Sequence, residues 1–143
     1  LMIFDTWAGA LSTPQYLEFS LAYMWKIVNA LKQDELTRDI PVTLFSKGGG
    51  LWLEQIAATG CDGVGLDWGV PIDYARELIG DKVTLQGNLD PTVLYAPPET
   101  VAREAKKVLD DFGNHPGHIF NLGHGIHPGI DPENVKVLVD TVH

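Results

Sequence analysis

Cysteine, arginine and long apolar runs are all scarce in this chain, and each scarcity excludes something. The single cysteine, Cys61, cannot build an internal disulfide framework, which fits a reducing compartment. Ten Lys and Arg face nineteen Asp and Glu, and the three arginines (Arg38, Arg76, Arg103) lie far apart in sequence. A net charge of −9 without a cationic cluster excludes a nucleic-acid surface, because phosphate binding needs gathered Lys and Arg. An anionic small molecule stays compatible, but its cationic pocket would have to be built mostly from elsewhere. No apolar run approaches membrane-spanning length, and the N-terminus carries no basic lead-in of a signal peptide. The expectation is a cytoplasmic protein with no membrane partner. The 143 residues, 45% of them hydrophobic, suffice for one domain with a buried core.

The chain begins directly in a strand-like run, Leu1 to Trp7, so it reads as a piece of a longer polypeptide. Thr13 is the expected N-cap of a helix with Pro14 at its first position, running to about Lys32. Phe19, Tyr23, Ile27 and Leu31 recur every fourth residue and predict one buried apolar stripe. A second strand, Val42 to Phe45, runs into Ser46-Lys47-Gly48-Gly49-Gly50. Such a triple glycine could cradle a phosphate, but it has the spacing of neither common phosphate-binding loop. A short helix over Leu51 to Thr59 precedes a third strand, Gly63 to Trp68. A helix over Pro71 to Ile79 leads to a fourth strand, Val83 to Asn88. A long helix from Glu99 to about Asp111 leads to a fifth strand, Ile119 to Leu122. Asp131 then caps a last helix with Pro132 at its first position.

Five strand-then-helix units predict an α/β fold with a parallel sheet and right-handed crossovers. Every strand ends on polar residues: Asp5/Thr6, Ser46/Lys47, Asp67, Asn88/Asp90 and Asn121/His124. A shared polar mouth favours part of a (β/α)8 barrel, about five of its eight units, over an open doubly wound sheet. Of these residues His124 stands out, since Gly123 and Gly125 remove Cβ bulk on both sides and permit positive φ. Lys47 is the one cation at a strand end and could meet a ligand carboxylate. Asp67 and Trp68 suit bracing of the mouth, while Asn88 and Asp90 suit capping of the turn at Pro91. His115, His118 and His127 read as surface or loop residues, and Cys61 as a small buried packing residue.

Four motifs in register carry a resemblance: Phe4-Asp5-Thr6-Trp7-Ala8-Gly9, Gly65-Leu66-Asp67-Trp68, Leu85-Gln86-Gly87-Asn88-Leu89-Asp90-Pro91 and Asn121-Leu122-Gly123-His124-Gly125. Together they resemble the C-terminal part of the uroporphyrinogen decarboxylase family, over essentially the whole of residues 1–143. The resemblance implies a single-domain (β/α)8 TIM-type barrel of which this chain is the C-terminal portion. It implies a homodimer that uses neither metal nor organic cofactor. The implied reaction converts the four acetates of uroporphyrinogen III to methyls, in porphyrin and haem biosynthesis. Thr6 and His124 fall on the family's substrate-contacting positions. The family's catalytic aspartate and tyrosine, and its arginines, map before residue 1, so no catalytic residue is assigned here. Alone, the fragment is expected to be inactive, with unpaired strand edges.

Two alternatives remain open at this point. A zinc-dependent methyltransferase on the same barrel would need His and Cys ligands at strand ends, where this chain offers Leu44-Phe45-Ser46-Lys47. A non-catalytic tetrapyrrole-binding or assembly module would need none of the family's missing groups.

Overall fold

The computed structural model describes residues 1–143 as one five-stranded, all-parallel sheet in the order β1-β2-β3-β4-β5. The strands are β1 (Met2–Asp5), β2 (Thr43–Ser46), β3 (Gly63–Gly65), β4 (Thr84–Leu89) and β5 (His118–Leu122). Between and after them come α1 (Thr13–Tyr16), α2 (Ala22–Gln33), α3 (Leu53–Ala57), α4 (Ile72–Ile79), α5 (Pro98–Phe112) and α6 (Pro132–Val142). A π-helical stretch, Leu17–Leu21, joins α1 to α2 in one rod. Spatial order follows chain order without reversal. A doubly wound sheet reverses at a switch point, whereas a barrel adds each strand on the same side. The topology is therefore that of a barrel segment.

Register divides the sheet into two faces. Ile3, Leu44, Val64 and Leu85 stand side by side across β1 to β4. They pack into the main core with Met24, Val28, Ile56, Ile72 and Ile79 from the helices. A second cluster joins Leu89 to Leu94, Val101, Ala105, Ile130 and Leu138, with Phe120 and Leu122 against it. The alternate row, Phe4, Phe45, Gly65, Gln86 and Ile119, faces the other way. Phe4 is 65% exposed and Ile119 48%, as expected of a barrel's inner lining along an open segment.

Several local expectations change. Ser12, not Thr13, occupies the N-cap, and Thr13 begins the helix with its hydroxyl accepting from Trp52 Nε1 at 3.1 Å. The stripe Phe19, Tyr23, Ile27 points outward, with Phe19 61% exposed. The buried row lies beside it: Tyr16, Ser20, Met24 and Val28. Apolar periodicity overlooks that row because two of its members serve by hydrogen bonding. Tyr16 Oη shares a hydrogen bond with Ser46 Oγ at 2.9 Å, and Ser20 Oγ donates to Asp5. The expected helix at Leu51 opens with a 3₁₀ turn, Gly49–Trp52, and is α-helical only from Leu53. Strand β3 stops at Gly65, three residues short of Trp68.

The later caps follow their residue types. Asp131 accepts from the Glu133 amide at 2.9 Å, with Pro132 first in α6. Arg76 of α4 donates to the terminal carbonyls of α5, Asp111 at 3.2 Å and Phe112, satisfying acceptors that α5 cannot. Cys61 is 6% exposed in the helix-facing core.

Candidate active site

All five strands point their C-terminal ends at one mouth, and two turns there are built by side chains that hold backbone. Asp5 accepts from the Trp7 amide at 3.0 Å and from Ser20, fixing the turn that carries Thr6. Asp67 is 8% exposed, and its two oxygens accept separately from the Gly69 amide at 2.7 Å and the Gly48 amide. The glycine loop therefore spends an amide on Asp67, which removes the phosphate-cradle reading of Gly48 to Gly50. Asn88 departs from the expected cap: buried, it donates to the carbonyls of Asp67 at 2.9 Å and Val70 at 2.6 Å. It braces the end of β3 from β4. Asp90 does cap its turn, accepting from both the amide and hydroxyl of Thr92 at 2.8 Å.

Beyond this scaffold, a cavity of about 490 Å³ opens on the inner face of the sheet. Thr6 and His124, from the first and last strand ends, both line it, together with Phe4, Phe45, Gln86 and Asn121. The His124 ring meets Phe45 at 6.0 Å between centroids and Trp68 at 6.4 Å, the latter edge-on at 87°. These contacts hold the imidazole at the cavity wall. Close approach makes the turn possible: a Cβ on Gly123 would sit 2.6 Å from the Trp68 amide nitrogen. Neither Gly123 nor Gly125 has positive φ, so the flanking glycines supply space rather than an unusual backbone. A second cavity of about 450 Å³ adjoins the first, with Thr6 belonging to both and Lys47 and Trp68 lining the second.

Gln86 went unnoticed as a site residue in the sequence, while Asn121 was read only as a polar strand end. The signal was available in strand alternation, since Gln86 stands one residue from core Leu85 and must face the opposite side. Beneath the site, burial pushes the Tyr16 phenol up to about 12; the hydrogen bond with Ser46 works against that shift and the Asp5 charge adds to it. Tyr16 is thus a neutral structural group, stacked on Trp52 at 3.9 Å.

The other histidines stand apart. His118 is not a loop residue: it opens β5, stacks on Phe112 at 4.3 Å and bonds the Gly87 carbonyl at 2.8 Å. His115 and His127 are exposed, the latter 5.8 Å from the Tyr95 ring. No three His, Cys, Asp or Glu side chains converge as a ligand set. A zinc–thiol methyltransferase centre therefore has no ligands among these residues.

The sequential parallel order defines a segment of a (β/α)8 barrel, with a cavity at the C-terminal face where such barrels carry their sites. The family model for uroporphyrinogen decarboxylase (URO-D) matches residues 1–143, the whole chain, and the chain belongs to that family. It is 61% identical to the uroporphyrinogen decarboxylase of Alcanivorax borkumensis over 142 residues, 99% of this chain and 40% of that protein. It is 59% identical to the one from Pseudoalteromonas atlantica, across all of this chain and 40% of the relative. A third, from Thioalkalivibrio sulfidiphilus, is 62% identical across all of this chain and 41% of the relative. The chain thus spans about 40% of the length of these curated relatives.

Proposed function

We propose that these residues form the C-terminal part of a single barrel domain that decarboxylates the four acetates of uroporphyrinogen III to methyls, yielding coproporphyrinogen III. One observation carries the reading to the site: Thr6 and His124, chosen from opposite ends of the chain, meet at one cavity at the barrel mouth. Each decarboxylation breaks the bond between the acetate methylene and its carboxylate, releasing carbon dioxide and leaving its electron pair on the methylene carbon. A proton on the pyrrole ring makes the ring the sink for that pair; a proton then adds to the methylene carbon to complete the methyl, and the ring gives up its own.

The role of this chain is to position the substrate. Thr6 offers a hydroxyl that can donate or accept at a substrate carboxylate. His124 can donate one hydrogen bond, and adds positive charge when protonated. Phe4 and Phe45 give the tetrapyrrole an apolar wall, and Gln86 and Asn121 add polar groups beside it. The aspartate, tyrosine and arginines of the family's machinery are placed outside residues 1–143. We further place the active protein in the cytoplasm as a homodimer; light scattering of the purified full-length protein should return twice the monomer mass.

Uroporphyrinogen III incubated anaerobically with a polypeptide of the relatives' full length containing these residues should pass through hepta-, hexa- and pentacarboxyl intermediates. Thr6→Val and His124→Ala should each slow that sequence by about tenfold or more, as loss of a charge-assisted hydrogen bond implies. A folded wild type that releases no carbon dioxide would refute the activity. Unchanged turnover in both variants would reduce the two residues to packing.

A further inference from the structure

Lys47 is the one strand-end cation in the chain, and the fold holds it with care. Its amide donates to the Asp5 carbonyl at 2.9 Å, and its own carbonyl accepts from the Gly9 amide at 2.8 Å. The next residue, Gly48, has φ +74°, and a Cβ there would fall 2.8 Å from the Gly9 Cα. The backbone under Lys47 is therefore pinned between the β1 loop and the glycine turn.

Its ammonium lies 5.5 Å from the centre of the Trp68 ring, over its face. Trp68 in turn meets His124 edge-on. No carboxylate pairs with Lys47 within ion-pair distance, although two stand at neighbouring strand ends. Asp5 and Asp67 are occupied instead by the amides and hydroxyl that build the turns. The contrast is with Lys32 and Lys106, which pair with Asp62 at 2.7 Å and Asp110 at 3.1 Å. An unpaired ammonium on an aromatic face, half-buried at the wall of a cavity, is arranged to receive an anion.

We propose that Lys47 forms a second carboxylate subsite, in the cavity adjoining the one lined by His124. Resting on the proposed function, it takes a peripheral carboxylate of the tetrapyrrole while another lies near His124. Thr6, common to both cavities, stands between the two positions. A flexible macrocycle with carboxylates around its rim can present two such groups at once, and the ammonium of Lys47 and the imidazole of His124 set its orientation. Lys47 acts on binding and takes no part in bond breaking.

The test compares Lys47→Met and Lys47→Arg with wild type in a polypeptide of the relatives' full length. One readout is steady-state decarboxylation of uroporphyrinogen. The other is quenching of tryptophan fluorescence by uroporphyrin, a stable octacarboxylate whose binding requires no turnover. Lys47→Met should raise both KM and the uroporphyrin Kd about tenfold, with kcat within about twofold, and Lys47→Arg should restore most of the loss. Active enzyme whose KM and Kd are the same in Lys47→Met overturns the subsite and leaves the decarboxylase reading standing. Equal losses in the Met and Arg variants also overturn it, by assigning Lys47 to packing on Trp68. A wild type that does not decarboxylate but binds uroporphyrin more tightly than Lys47→Met would retain the subsite and remove the reaction.

Discussion

Substituting the two glycines that flank His124 should separate space from flexibility. Gly123 packs its Cα against the Asp67–Trp68 turn that follows β3. An alanine Cβ would lie 2.6 Å from the Trp68 nitrogen and 3.0 Å from the Asp67 carbonyl carbon, where ordinary contact begins at 3.4 Å. Both neighbours are backbone, and neither can yield easily. Asp67 is tied to Gly48 and Gly69, and its carbonyl accepts from Asn88. On its own side, the Gly123 amide donates to the Leu89 carbonyl at 2.7 Å. Relief therefore requires the β5 turn to retreat by the better part of an ångström, at an overpacking cost of about 1–3 kcal/mol. Because His124 is the next residue, the same retreat displaces its ring, and a ~1 Å error at a positioned group can cost up to about 10²-fold in rate. Gly125 is the control: a Cβ there meets nothing within 4 Å, and its φ is ordinary. In urea unfolding and steady-state kinetics of the full-length protein, Gly123→Ala should lower stability and kcat/KM while Gly125→Ala, whose Cβ would enter the open cavity, leaves stability unchanged. A Gly123→Ala variant within about 0.5 kcal/mol of wild type and fully active would refute the close-approach argument.

Two further perturbations test the layer beneath the site. Tyr16→Phe should cost about 1–3 kcal/mol in urea unfolding, because it leaves the buried Ser46 hydroxyl without its phenol partner; adding Ser46→Ala should recover part of that loss. The raised Tyr16 pKa has a definite sign. The unfolded chain loses this proton near 10 and the folded one near about 12, so its stabilising contribution is intact below 10 and disappears as pH climbs through that window. Alkaline unfolding of Tyr16→Phe should correspondingly lack this component. Burial pushes the Cys61 thiol up, against weaker help from hydrogen bonds, so native protein at neutral pH should react slowly with a thiol reagent and rapidly in urea. Fast labelling of the folded protein would contradict the packing role.

Much of the fold was legible because strand–helix alternation is a strong, repeated signal, and capping residues such as Asp131 act locally. Barrel and open sheet could not be separated by periodicity, since both alternate in the same way; spatial strand order separates them. The outward Phe19 stripe shows why apolar periodicity misleads. A helix facing strand ends buries hydroxyls that reach the turns, and Ser20 and Tyr16 do so. His118 was misread for a related reason, as its ring stacks on Phe112 from the neighbouring helix, a contact no local pattern encodes. Thr6 and His124 were singled out by motif and line the cavity, whereas Gln86 required the inward row to be identified from register.

Charge placement sharpens what these five units contribute. None of the three arginines reaches the mouth. Arg76 caps α5, Arg103 bonds its neighbour Glu104 at 2.9 Å, and Arg38 sits beside Asp39 in the exposed loop after α2. Each is used to hold a helix or loop on the outer layer. At the cavities the positive character comes from Lys47 and a protonatable His124, set in a segment of net charge −9. A substrate with eight carboxylates, on the proposed reading, needs more than these two groups, because the field of the acidic segment opposes its approach. On the proposed reading, the guanidinium groups that offset the rest must face the cavity from elsewhere in the barrel. The free inner row from Phe4 to Ile119 is the surface they would face. Residues 1–143 then set where the macrocycle lies, and the remaining strands supply most of the charge that draws it in.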